Sequence, residues 1–294
     1  MKEQRGTYTD NSAKGAACLL IGALIWGVAF VAQRVGMDYV GPYTFNAVRC
    51  LLGSLVLIPV VFALNGRKEK TDRSDRSVLL QGGIACGVFL CIASNFQQVG
   101  LKYTSVGKAG FITALYIVIV PLFGIILGKA AGVRIWISVV LAVAGMYLLC
   151  MTDALTLGKG DLLELICAFA FAFQILAVDH YSRLTGGPAL ACLEFLVCGL
   201  LTLIPMFLFE RPSLQGIYAA RVPILYAGVL SCGVAYTLQI IGQRNLKPAV
   251  ASLIMSLESV ISVIAGWLIL GQRLTLREII GSAVMFAAIL LAQM

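Results

Sequence analysis

Charged and polar side chains are scarce in this sequence, and the few that interrupt its apolar runs define what chemistry it can do. Glu258 stands about ten residues into the run 248–270, which is about 15 Å along a helix. A carboxyl there fits a proton site or a partner for a solute amine, or a structural group bonded to a neighbouring helix. Arg49 stands about seven residues into the run 42–64. It is permanently charged, and fits either a solute carboxylate or backbone carbonyls that hold the fold. Asn46 lies one turn away on the same face. Glu194 occupies a similar depth in the run 187–209 and fits proton coupling, gating or an ion pair with Arg49. Tyr236, Gln239 and Gln243 follow each other at spacings of three and four, so they share a helix face able to hydrogen-bond a polar solute. Asn95 and Gln98 form a similar pair, and Trp26 and Phe30 an aromatic one. Each set fits equally well between packed helices. Asp179 and His180 end their run and read as a solvated helix end.

No enzyme constellation accompanies these groups. The sequence has one histidine, His180, and no nucleotide-binding loop. Nine cysteines lie inside apolar runs and form no CxxC. They read as small packing residues, with no metal and no cofactor expected.

The elements that must carry these residues are membrane helices. Of 294 residues, 60% are hydrophobic and 12% charged, against about 45–50% and 25% in soluble domains. The mean hydropathy is +0.94. A helix needs about 20 apolar residues to cross a bilayer. Ten runs qualify: 14–34, 42–64, 77–99, 104–127, 133–151, 160–180, 187–209, 222–243, 248–270 and 274–293. They do not alternate apolar with polar, which excludes a β-barrel. The first run lacks a cleavage site and reads as a retained helix. The expected fold is therefore all-α and integral to the membrane. In that setting a charge at the centre costs at least about 2.5–3.5 kcal/mol and must face protein or a water-filled cavity.

The net charge of +8 sits in short connections and orients the helices; no basic-aromatic module suggests nucleic acid. An even number of helices puts both termini on one side. The first half places that side in the cytoplasm, through Lys2, Arg5, Lys14, Arg67, Lys68, Lys70, Arg73, Arg76, Lys129 and Arg134 against Arg34, Lys102 and Lys108. The second half is biased the other way: Arg183, Arg244 and Lys247 against Lys159, Arg211, Arg221, Arg273 and Arg277. Two five-helix halves must insert in opposite directions, so the opposed bias fits an inverted repeat, 1–152 and 153–294. Pro42, Pro59 and Ala85-Cys86-Gly87-Val88 match Pro188, Pro205 and Ser231-Cys232-Gly233-Val234 at one offset. Leu101-Lys102 and Leu127-Gly128 match Leu246-Lys247 and Leu270-Gly271 at nearby offsets. Such repeats place a solute site at their interface near the midplane and expose it alternately to each side. Gly83/Gly87 and Gly124/Gly128/Gly132 read as packing or hinge positions.

These features resemble the drug/metabolite transporter superfamily, in its ten-helix EamA-type branch. The resemblance rests on Trp26-Gly27-Val28-Ala29-Phe30-Val31, on Pro42 followed by Arg49, on Pro121 with Leu127-Gly128, and on Leu257-Glu258, Leu270-Gly271 and Gly281. Three positions depart from the family pattern: Lys129 and Gln272 replace glutamates, and Ser259 replaces a proline. The resemblance implies a secondary carrier in the cell membrane that exports amino acids or related polar metabolites, with a multidrug or cationic-compound exporter as the alternative within the fold. A sensor or an enzyme is the alternative of another class. The expected partners are a small-molecule solute and the bilayer, and one chain is long enough to build a pathway as a monomer.

Overall fold

The computed structural model describes residues 2–65, 73–104, 106–126, 128, 131–150, 158–270 and 275–293. The side chains of 2–11, Lys108 and several residues beside the gaps are also outside the description. Lys129, Gly271 and Gln272, the basic residues Arg67, Lys68 and Lys70, and the expected boundary at 152/153 fall outside the described residues.

All regular structure among the described residues is helical, in one short connecting helix, Leu214–Ala219, and ten rods. They are α1 (Lys2–Gly36), α2 (Pro42–Asn65), α3 (Arg73–Gly100), α4 (Val106–Thr113 and Tyr116–Ile126), α5 (Val133–Cys150), α6 (Lys159–Tyr181), α7 (Gly187–Phe209), α8 (Arg221–Leu225, Tyr226–Ala235 and Tyr236–Gln243), α9 (Pro248–Met255 and Leu257–Leu270) and α10 (Leu276–Gln293). Eight contain spans long and apolar enough to cross a membrane. The apolar parts of α5 and α10 are shorter, Val133–Leu148 and Ile279–Ala292. Each helix still has 18 residues, or about 27 Å of rise, close to the hydrocarbon thickness. Helix α1 begins well before its expected start, because polar residues prolong the helix beyond its apolar span Ser12–Gly36.

The packing repeats when the two halves are exchanged. Helix α3 packs on α6 and α7, as α8 packs on α1 and α2. Helix α4 lies against α6, as α9 lies against α1. Helices α2 and α7 pair with each other, as do α5 and α10 and also α4 and α9. This is the contact pattern of a pseudo-twofold arrangement, with two inverted five-helix repeats around a central cavity.

Three rods depart from regular α-helix where they meet the centre. In α4 the break is at Ala114-Leu115, bridged by tighter bonds in which Leu115 N donates to Ile112 O at 3.1 Å and Ile117 N to Ala114 O at 3.0 Å. In α9 it is at Ser256, whose hydroxyl donates to Leu253 O at 2.7 Å while Ser259 N donates to Ser256 O at 3.1 Å. Ser259 thus keeps a backbone bond that the family's proline has no N–H to make. The two breaks occupy matching places in the repeats. In α8 the stretch Tyr226–Ala235 is π-helical and leads directly into Tyr236. Such windings concentrate at functional positions.

Close packing sets the remaining geometry. A methyl group on Gly87 would lie 2.6 Å from Val197 Cβ and 2.8 Å from Glu194 O, so α3 and α7 touch only because this residue has no side chain. Gly83 meets Leu193 in the same way. The glycines at 124, 128 and 132 do not form an equivalent stripe. Gly128 turns the chain with φ +72°, and nothing lies within 4 Å of a Cβ at 128 or 132. Gly87→Ala should therefore destabilise the detergent-solubilised protein by about 1–3 kcal/mol. Gly132→Ala should leave it unchanged; comparison of their thermal unfolding midpoints checks this.

A candidate solute cavity between the repeats

The central cavity is built from both halves. The first supplies Trp26, Phe30 and Gln33 on α1, Arg49 on α2, Gln97 on α3 and Tyr116 at the break of α4. The second supplies Phe171, Gln174 and Ile175 on α6, Ser231, Tyr236 and Gln239 on α8, and Met255 and Glu258 at the break of α9. The cavity offers about 50 Å³ to the centre of a water-sized molecule. That is room for a few waters at about 10–15 Å³ each. The conformation is closed around its centre, and a larger solute requires the walls to part.

Among the described residues, one cation and one carboxylate line this space. Arg49 is 5% exposed, and its Nε donates to Asn46 Oδ1 at 2.7 Å. Asn46 Nδ2 in turn donates to Ser94 O at 2.8 Å and Asn95 Oδ1 at 3.1 Å, and Asn95 Nδ2 to Thr202 Oγ1 at 2.9 Å. This network ties α2 to α3 and α7 and holds the guanidinium at the cavity through its Nε. Glu258 is 9% exposed, and Oε1 accepts one bond, from the Tyr116 hydroxyl at 3.0 Å. The bond crosses from the break of α4 to that of α9, so each hinge holds the other's polar group.

The aromatic wall is equally ordered. Tyr236 lies edge-on between Trp26 and Phe195, with ring centroids 4.8 and 4.9 Å away. Trp26 Nε1, Gln33 Oε1 and Gln239 Oε1 are buried without hydrogen-bond partners. An unsatisfied buried polar atom costs about 1–3 kcal/mol, so three on one wall form a surface that a polar solute can satisfy.

The residues singled out in the sequence divide into two layers. Trp26, Arg49, Tyr236, Gln239 and Glu258 line the cavity. Asn46, Glu194 and Gln243 stand behind it. Glu194 does not pair with Arg49. It is fully buried and accepts from Gln174 Nε2 at 2.7 Å, while Gln239 Nε2 donates to Gln174 Oε1 at 3.2 Å. The arginine and the glutamate, at matching depths in α2 and α7, anchor two separate networks. Gln243 reaches Ile175 O at 3.4 Å, one turn beyond the wall. On α3 the cavity residue is Gln97; Asn95 supports Asn46, and Gln98 donates to Gln33 O at 3.4 Å. Asp179 is not a solvated end: it is 1% exposed and pairs with Arg183 at 2.8 Å, while His180 is exposed.

A profile of the EamA-like transporter family matches the chain twice, over residues 13–151 and 158–294. The chain belongs to the EamA-like transporter family. An uncharacterized transporter of Archaeoglobus fulgidus is 28% identical over 295 residues, covering 100% of this chain and 90% of the relative. The uncharacterized inner membrane transporter YedA of Escherichia coli K12 is 25% identical over 280 residues, covering 91% and 87%. A solved structure titled "Crystal structure of protein" shares the fold, with a TM-score of 0.77 and 18% identity over 95% of this chain and 96% of that one. Membership makes the chain a multi-pass membrane transporter rather than an enzyme.

The two ends of the cavity differ. On the side of the chain termini, a pocket of about 570 Å³ opens between α4, α5, α6 and α9, bordered by Pro121, Asp179, Arg183 and Pro248. On the far side, Glu210 at the end of α7 caps α2. It accepts from Tyr43 N at 2.9 Å, Thr44 N at 2.7 Å and Thr44 Oγ1 at 2.6 Å. A carboxylate here satisfies free N–H groups of one half with a residue of the other. Sequence reading missed this clamp because its partners lie 166 and 167 residues apart.

Proposed function

We propose that this EamA-family transporter carries a small zwitterionic metabolite, an amino acid or a related compound, by alternating access. The reading is supported chiefly by one observation: Arg49 and Glu258, one from each half, line the same cavity. A solute with a carboxylate and an ammonium satisfies both, while a solute with only one charge leaves a buried charge unpaired. Trp26, Tyr236 and Gln239 set the shape between them, with Asn46 holding Arg49 and Glu194 and Gln243 supporting the α6–α8 wall. A cation selected by Glu258 and the aromatic rings alone is the competing drug-exporter reading, and it leaves Arg49 without a role. The units that move are the repeats 1–152 and 153–294, hinged where α4 and α9 break. Both termini lie in the cytoplasm, one chain suffices, and export is the direction the family resemblance carries.

Purified protein in liposomes should take up a radiolabelled amino-acid mixture saturably, and unlabelled zwitterions should compete where amines or carboxylates alone do not. Competition by a monovalent amine as strong as that by its amino acid would favour the drug-exporter reading instead.

A further inference from the structure

Glu194 stands behind the cavity, fully buried on α7. Among the described residues it has one hydrogen-bond partner: Gln174 Nε2 donates to Oε1 at 2.7 Å, and Oε2 has none. A buried carboxyl with a single bond is a costly way to join α6 to α7, because apolar packing would join them without the desolvation. What the bond does set is direction.

A carboxylate accepts hydrogen bonds and cannot donate them, whereas a glutamine amide donates at one end and accepts at the other. Glu194 therefore takes the amino end of Gln174 and turns the Gln174 carbonyl away. That carbonyl accepts from Gln239 Nε2 at 3.2 Å, which leaves the carbonyl end of Gln239 as the end of the series. Gln239 Oε1 is buried, has no partner, and belongs to a side chain that lines the cavity. Arg49 heads a series of the opposite sign. As a pure donor it takes Asn46 Oδ1 at 2.7 Å. Asn46 Nδ2 is thereby directed to Ser94 O and Asn95 Oδ1, and Asn95 Nδ2 to Cys91 O and Thr202 Oγ1, both at 2.9 Å. The arginine's series ends on partners inside the protein. The glutamate's ends on an unused acceptor of the cavity lining.

We infer that Glu194 is a positioning residue for the solute: acting through Gln174, it fixes Gln239 so that its carbonyl oxygen accepts an N–H of the solute. This rests on the zwitterion reading above and adds a selection to it. Charge alone does not separate an amino acid from its N,N,N-trimethyl betaine, since Arg49 and Glu258 can pair with either. Only the amino acid has N–H groups to offer Gln239 Oε1. Gln33 Oε1, a second unpartnered acceptor of the lining, favours the same solute. A betaine leaves both buried acceptors unsatisfied and is disfavoured for that reason.

The test is a double-mutant cycle on the half-saturation of exchange of a radiolabelled amino-acid mixture in proteoliposomes. Gln239→Leu removes the acceptor and should weaken half-saturation about tenfold, the factor expected of one buried hydrogen bond. Glu194→Gln keeps the size but can face Gln174 with either end, so Gln239 is no longer held in one orientation; a weakening of about threefold to tenfold is expected. In the double variant the change at 194 should add nothing to the change at 239, because its route to the solute is gone. Competition by the trimethyl betaines of the same amino acids gives a second readout. They should compete about tenfold less well than the amino acids in the wild type, and this gap should narrow in Glu194→Gln. Gln174→Met, which cuts the series in the middle, should narrow it equally. Effects that multiply in the double variant, or a gap that stays the same in Glu194→Gln and Gln174→Met, would overturn the inference and leave Glu194 a structural residue. Failure of the underlying reading looks different: the wild type itself would then show no saturable exchange of the mixture.

Discussion

Arg49→Ala should reduce uptake of a zwitterionic solute by about 100-fold or more, equivalent to roughly 2.7 kcal/mol. The guanidinium is held at Nε by Asn46, and that amide by Ser94 and Asn95, so the charge is aimed before the solute arrives. Truncating one member of a buried charge pair costs about 2–5 kcal/mol, much of it from the partner left behind. In this variant the partner is the solute's own carboxylate, so the loss depends on the solute. Zwitterions should lose most, and a solute without a carboxylate should lose little. Arg49→Lys should restore only part of the activity, because an ammonium cannot keep the Asn46 bond and present a planar fork together. Competition assays with amino acids and their decarboxylated amines read this directly. A uniform loss across solutes, accompanied by a lower unfolding temperature, would instead assign Arg49 to holding α2 against α3 and α7.

The fold was legible in the sequence because lipid imposes a simple rule. About 20 apolar residues must run without a gap, and the ten runs matched ten rods within a few residues, apart from the start of α1, which lies well before its run. The site was legible to the depth that a lone polar residue reveals. Arg49, Glu258 and Gln239 interrupt apolar runs, and burial in a membrane forces such groups toward a cavity or toward each other. Periodicity could not choose between those outcomes. Gln239 and Gln243 share a face, yet one reaches the wall and the other stops a turn away on Ile175 O. Gln97 and Gln98 are adjacent, and only the rotation of α3 against α6 and α7 decides which faces inward. Tyr116 was invisible for another reason. The break at Ala114-Leu115 contains neither glycine nor proline, so it arises from packing against α6 and α9 rather than from local sequence. Glu164 stands only a few residues into its run, where a carboxyl reads as an interfacial end, and its burial under Gly100 and Thr113 is a tertiary event.

The closed centre and its unequal ends give these residues a common setting. The far side is clamped by Glu210 across the two halves, while the side of the termini carries the wider pocket. On the proposed mechanism, opening toward the termini swings the second segment of α4 and the first segment of α9, which start or end at the breaks that carry Tyr116 and Glu258. The Tyr116–Glu258 bond therefore lies where movement of either segment alters it. On the proposed mechanism the protonation of Glu258 is then a lever on the conformation as well as on the solute.

Glu258→Gln should abolish the pH dependence of transport. An ionised Glu258 attracts the solute ammonium and accepts the Tyr116 hydrogen bond; a protonated one does neither as well. Solute affinity in the native protein should accordingly fall as pH falls, because protons and the ammonium compete for the same carboxylate. In a carrier this competition is the coupling: a proton arriving from one side releases the solute to it. Glutamine keeps the size and accepts the Tyr116 bond but is uncharged at every pH, so its affinity should be flat across pH and weaker than the native value at the alkaline end. Measuring half-saturation of exchange from acidic to alkaline pH in both proteins separates the alternatives. A native curve that is already flat would remove the proton from the mechanism and leave Glu258 as a fixed counter-charge. A glutamine variant that retains the native slope would move the titrating group elsewhere, and Glu194, fully buried on α7, would be the next residue to replace.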